Sequence, residues 1–311
     1  MNDQVHVYAP ATVANVACGF DILGFAINEP GDEVILRKRK ETGIAITKII
    51  GDNGELPLDP KKNTAGVALQ AFLNHINSDQ GIEIELHKKM PLGSGLGSSA
   101  ASAVASVFAA NILFGNPLTR KELLPFALEG EKTACGVAHA DNAAPALLGG
   151  FVIIRSYHPL DVIKISFPDN LYCTIIHPGI EIRTEDARKI LKKEILFKDA
   201  ITQWGNIAGL IAGLMKPDYD LIRRSMQDVI IEPVRSILIP GFREIKDAAI
   251  KAGALGCSIS GSGPSIFALS TSKNIADTVG SAMHNVFNLL EVNSEIYVSQ
   301  VNLNGPKIIE K

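Results

Sequence analysis

The sequence predicts an α+β protein of two domains, and three observations carry that prediction. Segments with strand alternation and segments with helical period mix without a strict β-α-β order, which disfavours a doubly wound parallel sheet. A length of 311 residues suits one large or two medium domains at ~100–200 residues each. The 27 glycines are partly concentrated in two short loops, one in each half of the chain.

The elements follow in order. Val34 and Leu36 alternate with charge, Ile44 and Ile46 repeat the pattern, and Ile82, Ile84 and Leu86 face away from Glu83 and Glu85, so each segment reads as a strand. Between the last two, Leu69, Phe72, Leu73 and Ile76 recur at helical spacing, with Thr64 as the expected N-cap. After the glycine loop, Ala101, Val104, Ala105, Phe108 and Ile112 form another helical stripe that stops before Gly115 and Pro117. A helix over 120–133 and a buried strand at Phe151–Ile154 complete the first half, and the domain boundary is expected at 158/159. In the second half, strands are expected at 162–167 and 172–177. Helices are expected at 185–196, 201–215, 219–229 and 242–251, then a hairpin at 255–260 and 265–270, a helix at 274–290 and a strand at 295–301.

Composition removes several classes. Thirty basic against 33 acidic residues leave a net charge of −3, with no basic field for a nucleic acid. Mean hydropathy is high at +0.17, yet Gly, Pro or charge breaks every apolar run well before the ~18 residues of a membrane span. Cys18, Cys135, Cys173 and Cys257 form no C-x-x-C pair and no zinc spacing, and the opening residues resemble no secretory leader; a cytoplasmic protein with reduced thiols is expected.

The segment Pro91-Leu92-Gly93-Ser94-Gly95-Leu96-Gly97-Ser98-Ser99-Ala100-Ala101 follows a strand and opens a helix. Such a loop is an anion cradle: glycines let backbone N–H groups approach a phosphate, and the helix start adds unpaired donors and a positive dipole end. Ser98 and Ser99 can cap the helix or supply a hydroxyl to a metal carried by phosphates. No lysine follows the last glycine as in the common P-loop, the spacing is not G-x-G-x-x-G, and no G-x-S-x-G elbow is present.

Taken whole, Pro91–Ser102 resembles the phosphate loop of the GHMP kinase superfamily, and Gly253–Ser265, with Ser260-Gly261-Ser262-Gly263-Pro264 at its centre, resembles that superfamily's C-terminal signature. Within it the chain resembles the homoserine kinases over nearly its whole length. The matching stretches are Pro10–Asn15 with Gly19-Phe20-Asp21, Ala138–Pro145 with Gly149-Gly150, Thr184 with Arg188, and Ile231–Arg235. One departure stands out: Val16-Ala17-Cys18 occupies the place of a usual Leu-Gly-Pro. The resemblance implies a ribosomal-S5-domain-2-like N-terminal domain (1–158) and a ferredoxin-like α/β sandwich as C-terminal domain (159–311). It implies ATP-dependent phosphorylation of L-homoserine to O-phospho-L-homoserine in threonine biosynthesis, with Mg²⁺, in a homodimer that binds neither nucleic acid nor membrane.

The resemblance also distributes roles. Asn15, Asp21, His139, Arg188 and Arg235 are expected at the amino-acid substrate, the arginines as guanidinium forks for its carboxylate and Asn15 and Asp21 as oxygens for its ammonium. Asn142, Thr184 and His139 are the expected catalytic positions. ATP falls to Pro91–Ala101 and to Gly261, Ser262 and Gly263, the second loop closing over the phosphates. The metal falls to Glu131 with Ser98 or Ser99. No residue announces itself as general base, although Asp21, Asp141 and Asn142 lie near, and the hydroxyl proton is expected to leave to phosphate or water. A mevalonate- or shikimate-type kinase is the nearest rival; a silent ligand sensor and an RNA-binding module are weaker ones, since Glu131 and the loop serines are retained and no basic cluster exists.

Overall fold

The computed structural model describes residues 3–136 and 138–309, with only the backbone considered at 134 and 135. Two sheets organise it. The first has seven strands: β1 (Gln4–Ala14), β2 (Leu23–Arg39), β3 (Ile44–Ile50), β4 (Gly81–His87), β5 (Phe151–Tyr157), β6 (Leu160–Ile165) and β11 (Lys307–Ile308). Its order is β11-β1-β2-β4-β3, with β5 on the far end of β2 and β6 on β5; only the β3–β4 pair is parallel. Alternation works as read: in β4, Ile82, Ile84 and Leu86 are buried while Glu83 and Glu85 reach solvent. Residues 160–165 and 307–308, beyond the expected boundary at 158, are strands of this first sheet.

Four helices cover the sheet: α1 (Thr64–His75), α2 (Ser98–Leu113), α3 (Leu124–Cys135) and α4 (Ala140–Leu148). The central α2 packs on β1 and β2 and is covered by α1 and α3. Its alanines are buried on nearly every side, and their small size permits the close approach. Asn63, not Thr64, caps α1, its side chain accepting the Ala65 N–H at 3.1 Å. The expected helix over 120–133 splits into a 3₁₀ turn, Arg120–Leu123, and α3, because Pro125 at the first helical turn starts a new helix.

The second sheet is antiparallel in the order β10-β7-β9-β8, from β7 (Tyr172–Pro178), β8 (Gly256–Ile259), β9 (Ile266–Ser270) and β10 (Ser294–Gln300). Helices α9 (Phe242–Lys251) and α10 (Lys273–Leu289) cover one face through Ile176, Ile245, Ile266, Met283 and Phe287. Cys173, Ile175, Phe267 and Leu269 join the core of the first sheet instead. There Phe25 stacks on Phe151 at 4.6 Å and meets Phe267 edge-on at 6.0 Å, contacts worth about 0.5–1.5 kcal/mol each beyond area burial.

Between β7 and α9 the chain forms α5 (Thr184–Lys189), α6 (Phe197–Met215), α7 (Tyr219–Ser225) and α8 (Glu232–Arg235). The helix expected over 185–196 stops at Lys189. Ile195 and Leu196 are 48% and 62% exposed, so no buried apolar face supports further turns. Two short elements escaped the periodicity, α4 and α8, and both carry site residues.

Candidate active site

The loop between β4 and α2 holds Gly93, Gly95 and Gly97 at φ of +63°, +77° and +72°. Glycine is required at two of them by close approach as well. A Cβ on Gly95 would lie 2.4 Å from the Ser260 carbonyl, and one on Gly97 would lie 2.2 Å from Thr12 Oγ1 and 2.8 Å from Asn142 Oδ1. No side chain caps the start of α2, so its first-turn N–H groups face the cavity beside them as free donors. That cavity holds about 520 Å³, a size usual for small-molecule sites, and Leu92–Ser99 line one end of it. Pro91, Ala100 and Ala101, also expected at the nucleotide, do not line it, and the two alanines are fully buried.

A buried ion pair that the sequence reading missed fixes this loop from below. Asp32 is inaccessible and accepts from the Lys89 and Met90 N–H groups at 2.8 and 3.1 Å. Its other oxygen takes the Lys88 ammonium and the Ser98 hydroxyl, the latter at 2.6 Å. Lys88 then reaches the Ser98 carbonyl at 3.0 Å and the Ser102 hydroxyl at 2.7 Å. The only sequence signal was a lysine pair directly ahead of the loop; Asp32 gave none. Ser98 is thereby held on Asp32, whereas the Ser99 hydroxyl donates to Glu131. Burial pushes the Glu131 carboxyl up to about 7, against the pull of the Ser99 hydrogen bond and the Lys88 charge.

Asn15, His139, Asn142, Thr184, Arg188 and Arg235 line the same cavity, as does Asp141. Thr12 donates to Asn142 Oδ1 at 2.8 Å, which leaves the Asn142 amide nitrogen as the free donor. The Thr184 hydroxyl meets that of Ser262 at 3.1 Å. Arg235 is 3% exposed and donates to the Ala187 and Gly261 carbonyls at 3.2 and 3.0 Å. Burial and then the Arg188 charge lower Arg235 to about 10, which leaves it cationic at neutral pH. Burial, then the Arg188 charge, lowers His139, so its ring is neutral there.

Three placements depart from the expected roles. Asp21 lies outside this cavity and grips Arg188 in a bidentate pair at 2.6 and 3.0 Å. Asn15 acts as a brace: Oδ1 accepts the Asp21 N–H and Nδ2 donates to the Gly261 carbonyl, both at 2.8 Å. Gly261 and Ser262 line the cavity but Gly263 does not, and the N–H groups of both glycines are spent within the fold. Gly261 N–H donates to Ala14 and Gly263 N–H to Ser260. The second loop therefore buttresses the first, with Ser260 Oγ donating to the Gly95 carbonyl at 2.8 Å.

Beside this cavity His139 Nε2, Asp141 Oδ1 and Arg188 Nε are buried without a hydrogen-bond partner. Burial, followed by the Asp21 charge, raises Asp141 to about 7. Unpaired polar atoms at this depth cost about 1–3 kcal/mol each unless a ligand satisfies them. A helix start that receives phosphate at one end and such a set with two guanidinium groups at the other define a phosphotransferase for a small polar molecule.

Comparison with known proteins agrees. Residues 63–150 match the GHMP kinases N terminal domain and residues 210–289 the GHMP kinases C terminal domain. A homoserine kinase of Chlorobium phaeobacteroides is 55% identical over 97% of this chain and 98% of its own. The crystal structure of homoserine kinase from Cytophaga hutchinsonii superposes with a TM-score of 0.98 at 60% identity, covering 99% of this chain and 98% of that one. The crystal structure of L. major mevalonate kinase in complex with R-mevalonate shares the fold, with a TM-score of 0.72 at 19% identity over 97% of both chains. The chain belongs to the homoserine kinase family of the GHMP kinases.

Proposed function

We propose that the chain transfers the γ-phosphoryl group of ATP to the side-chain hydroxyl of L-homoserine, giving O-phospho-L-homoserine and ADP. The observation that carries this is the single cavity joining an uncapped helix start to buried, unpartnered His139, Asp141 and Arg188 atoms. The loop and first turn of α2 receive the phosphates. Arg188 and Arg235 take the substrate carboxylate, and Asp141 is the anionic group left open to the polar end, since Asp21 is claimed by Arg188. His139, Asn142 and Thr184 line the space between and orient the hydroxyl. The new O–P bond forms as the bond to the β-phosphate oxygen breaks, and the hydroxyl proton leaves to phosphate or water. Such a transfer depends mainly on positioning and charge stabilisation.

Ser99 and Glu131 fit a hard divalent cation: a hydroxyl and a buried carboxylate meet beside the phosphate loop, and ionising that carboxylate calls for a compensating charge. No group of three or more potential ligands from His, Cys, Asp and Glu exists among the described residues, which suits Mg²⁺ completed by phosphate and water. A Mg²⁺ ion held by Ser99 and Glu131 would offset the negative charge of the ATP phosphates. Ser98, held by Asp32, is the weaker candidate ligand.

A homodimer is the further proposal, supported by exposed Phe197, Ile201 and Trp204 on α6, at 71%, 52% and 58%. Free, buried Cys18, Cys173 and Cys257 support a cytoplasmic setting; Cys135's side chain lies outside the described residues, and no helix among them is long and apolar enough to cross a membrane.

The test is a substrate panel read by ADP release, in which homoserine is turned over and mevalonate and shikimate are not. Arg235→Ala raises the homoserine KM at least tenfold and the ATP KM less than twofold. Phosphorylation of mevalonate in place of homoserine overturns the assignment. In the same assay Asp141→Asn retains turnover at saturation; a hundredfold loss of kcat with homoserine binding intact would move the proton to Asp141.

A further inference from the structure

Phe20 is half-buried and belongs to neither hydrophobic core. Its ring nevertheless has two cationic neighbours: the Arg235 guanidinium carbon lies 4.8 Å from the ring centroid and that of Arg188 5.4 Å. One aromatic ring thus receives both groups that face the polar end of the cavity. The contact solves an electrostatic problem. Two guanidinium groups close enough to share a ring repel, and the lowering of Arg235 by the Arg188 charge reports that repulsion. Of the two arginines, Asp21 hydrogen-bonds Arg188 alone and reaches Arg235 only through space, and the hydrogen-bond acceptors of Arg235 are carbonyls. The quadrupole of a ring attracts both cations without consuming a single N–H donor, so donors not already given to Asp21 and the two carbonyls, the unpartnered Arg188 Nε among them, stay available to a carboxylate.

The backbone around Phe20 is fixed for this purpose. A Cβ on Gly19 would lie 2.5 Å from Leu23 Cβ, Asp21 adopts φ +60°, and its N–H is tied to Asn15 Oδ1 at 2.8 Å. Phe20 and Asp21 are therefore presented together, one ring and one carboxylate, to the same two arginines.

We propose that Phe20 is a positioning residue that holds Arg188 and Arg235 as one carboxylate receptor, and so sets the enzyme's requirement for a carboxylate on its amino-alcohol substrate. The proposal rests on the reading that these arginines bind the homoserine carboxylate.

The experiment compares homoserine with propanolamine, which is homoserine without its carboxylate, on the full-length protein. Phe20→Leu lowers kcat/KM for homoserine about tenfold, chiefly through KM, leaves the ATP KM within twofold and leaves propanolamine kcat/KM unchanged. The preference for the carboxylate therefore shrinks tenfold. Phe20→Tyr, which keeps the ring, restores it. Loss on both substrates alike, no change with Phe20→Leu, or failure of Phe20→Tyr to restore the preference overturns the proposal. If Phe20→Leu does not fold, Phe20→Met takes its place under the same criteria. Homoserine Kd by calorimetry on the same variants decides the role of the ring separately from turnover: a tenfold weakening confined to the ringless variants supports it, and equal Kd values refute it. Wild-type protein that binds homoserine but phosphorylates another alcohol refutes the proposed function and leaves this reading standing.

Discussion

Ala17 sits at φ +47°, almost wholly buried, in the Val16-Ala17-Cys18 stretch that stands in place of the usual Leu-Gly-Pro. A left-handed conformation costs a non-glycine residue roughly 1–2 kcal/mol, part of which glycine returns as unfolded-state entropy. Ala17→Gly is expected to stabilise the protein by about 0.5 kcal/mol, the reverse of the usual Ala→Gly effect; urea unfolding measures it. Glu131 offers a pH test. Its folded pKa of about 7 exceeds the ordinary carboxylate value, so the folded state binds the proton more tightly. The associated stability is complete below about 4.5 and is lost as pH rises through 7. Glu131→Gln should remove about 2 kcal/mol of the loss between pH 5 and pH 8 in ligand-free protein, while abolishing activation by Mg²⁺. Equal pH dependence in both proteins refutes the buried, proton-binding carboxylate. Residues inside the motifs were legible because the spacing itself dictates their chemistry. Phe20's second role and the Lys88–Asp32 contact were not, since each joins residues far apart in sequence.

At the level of elements, strand alternation and helical stripes located most segments, because burial on one face imposes the period. The errors fell where burial is not one-sided. Helices α4 and α8 are too short to show a period, and the 185–196 stretch has apolar residues with nothing to cover them. The phosphate loop itself was plain in sequence, yet its foundation is the ion pair on β2 and the segment after β4. Asp32→Asn should cost about 3 kcal/mol, because it strands a buried ammonium. Asp32→Asn combined with Lys88→Met should cost less than the single change. A denaturant double-mutant cycle reads the difference, and simple additivity would show that the two groups do not act as a unit.

The two sheets meet through Phe25 and Phe267 and through β10 beside β2, so the α+β class was readable while the sharing of strands between halves was not. The apolar α6 face, around Phe197 and Trp204, is the proposed dimer contact. Phe197→Glu with Trp204→Glu should sediment at half the mass of the wild type, whereas a wild-type mass of 33.3 kDa removes the dimer from consideration.

The placement of β11 has a consequence for biosynthesis. It pairs Ile308 with Val7 across about 300 residues, and Val301 bridges to Ile27. Strand β1 therefore waits with one edge unpaired until β11, about 300 residues later, has been translated. Such an exposed edge is open to neighbouring polypeptides. The nascent enzyme should depend on chaperone shielding most during synthesis of its second half, and a ribosome stalled before residue 300 should display a first sheet that pulls apart more readily than that of the finished protein.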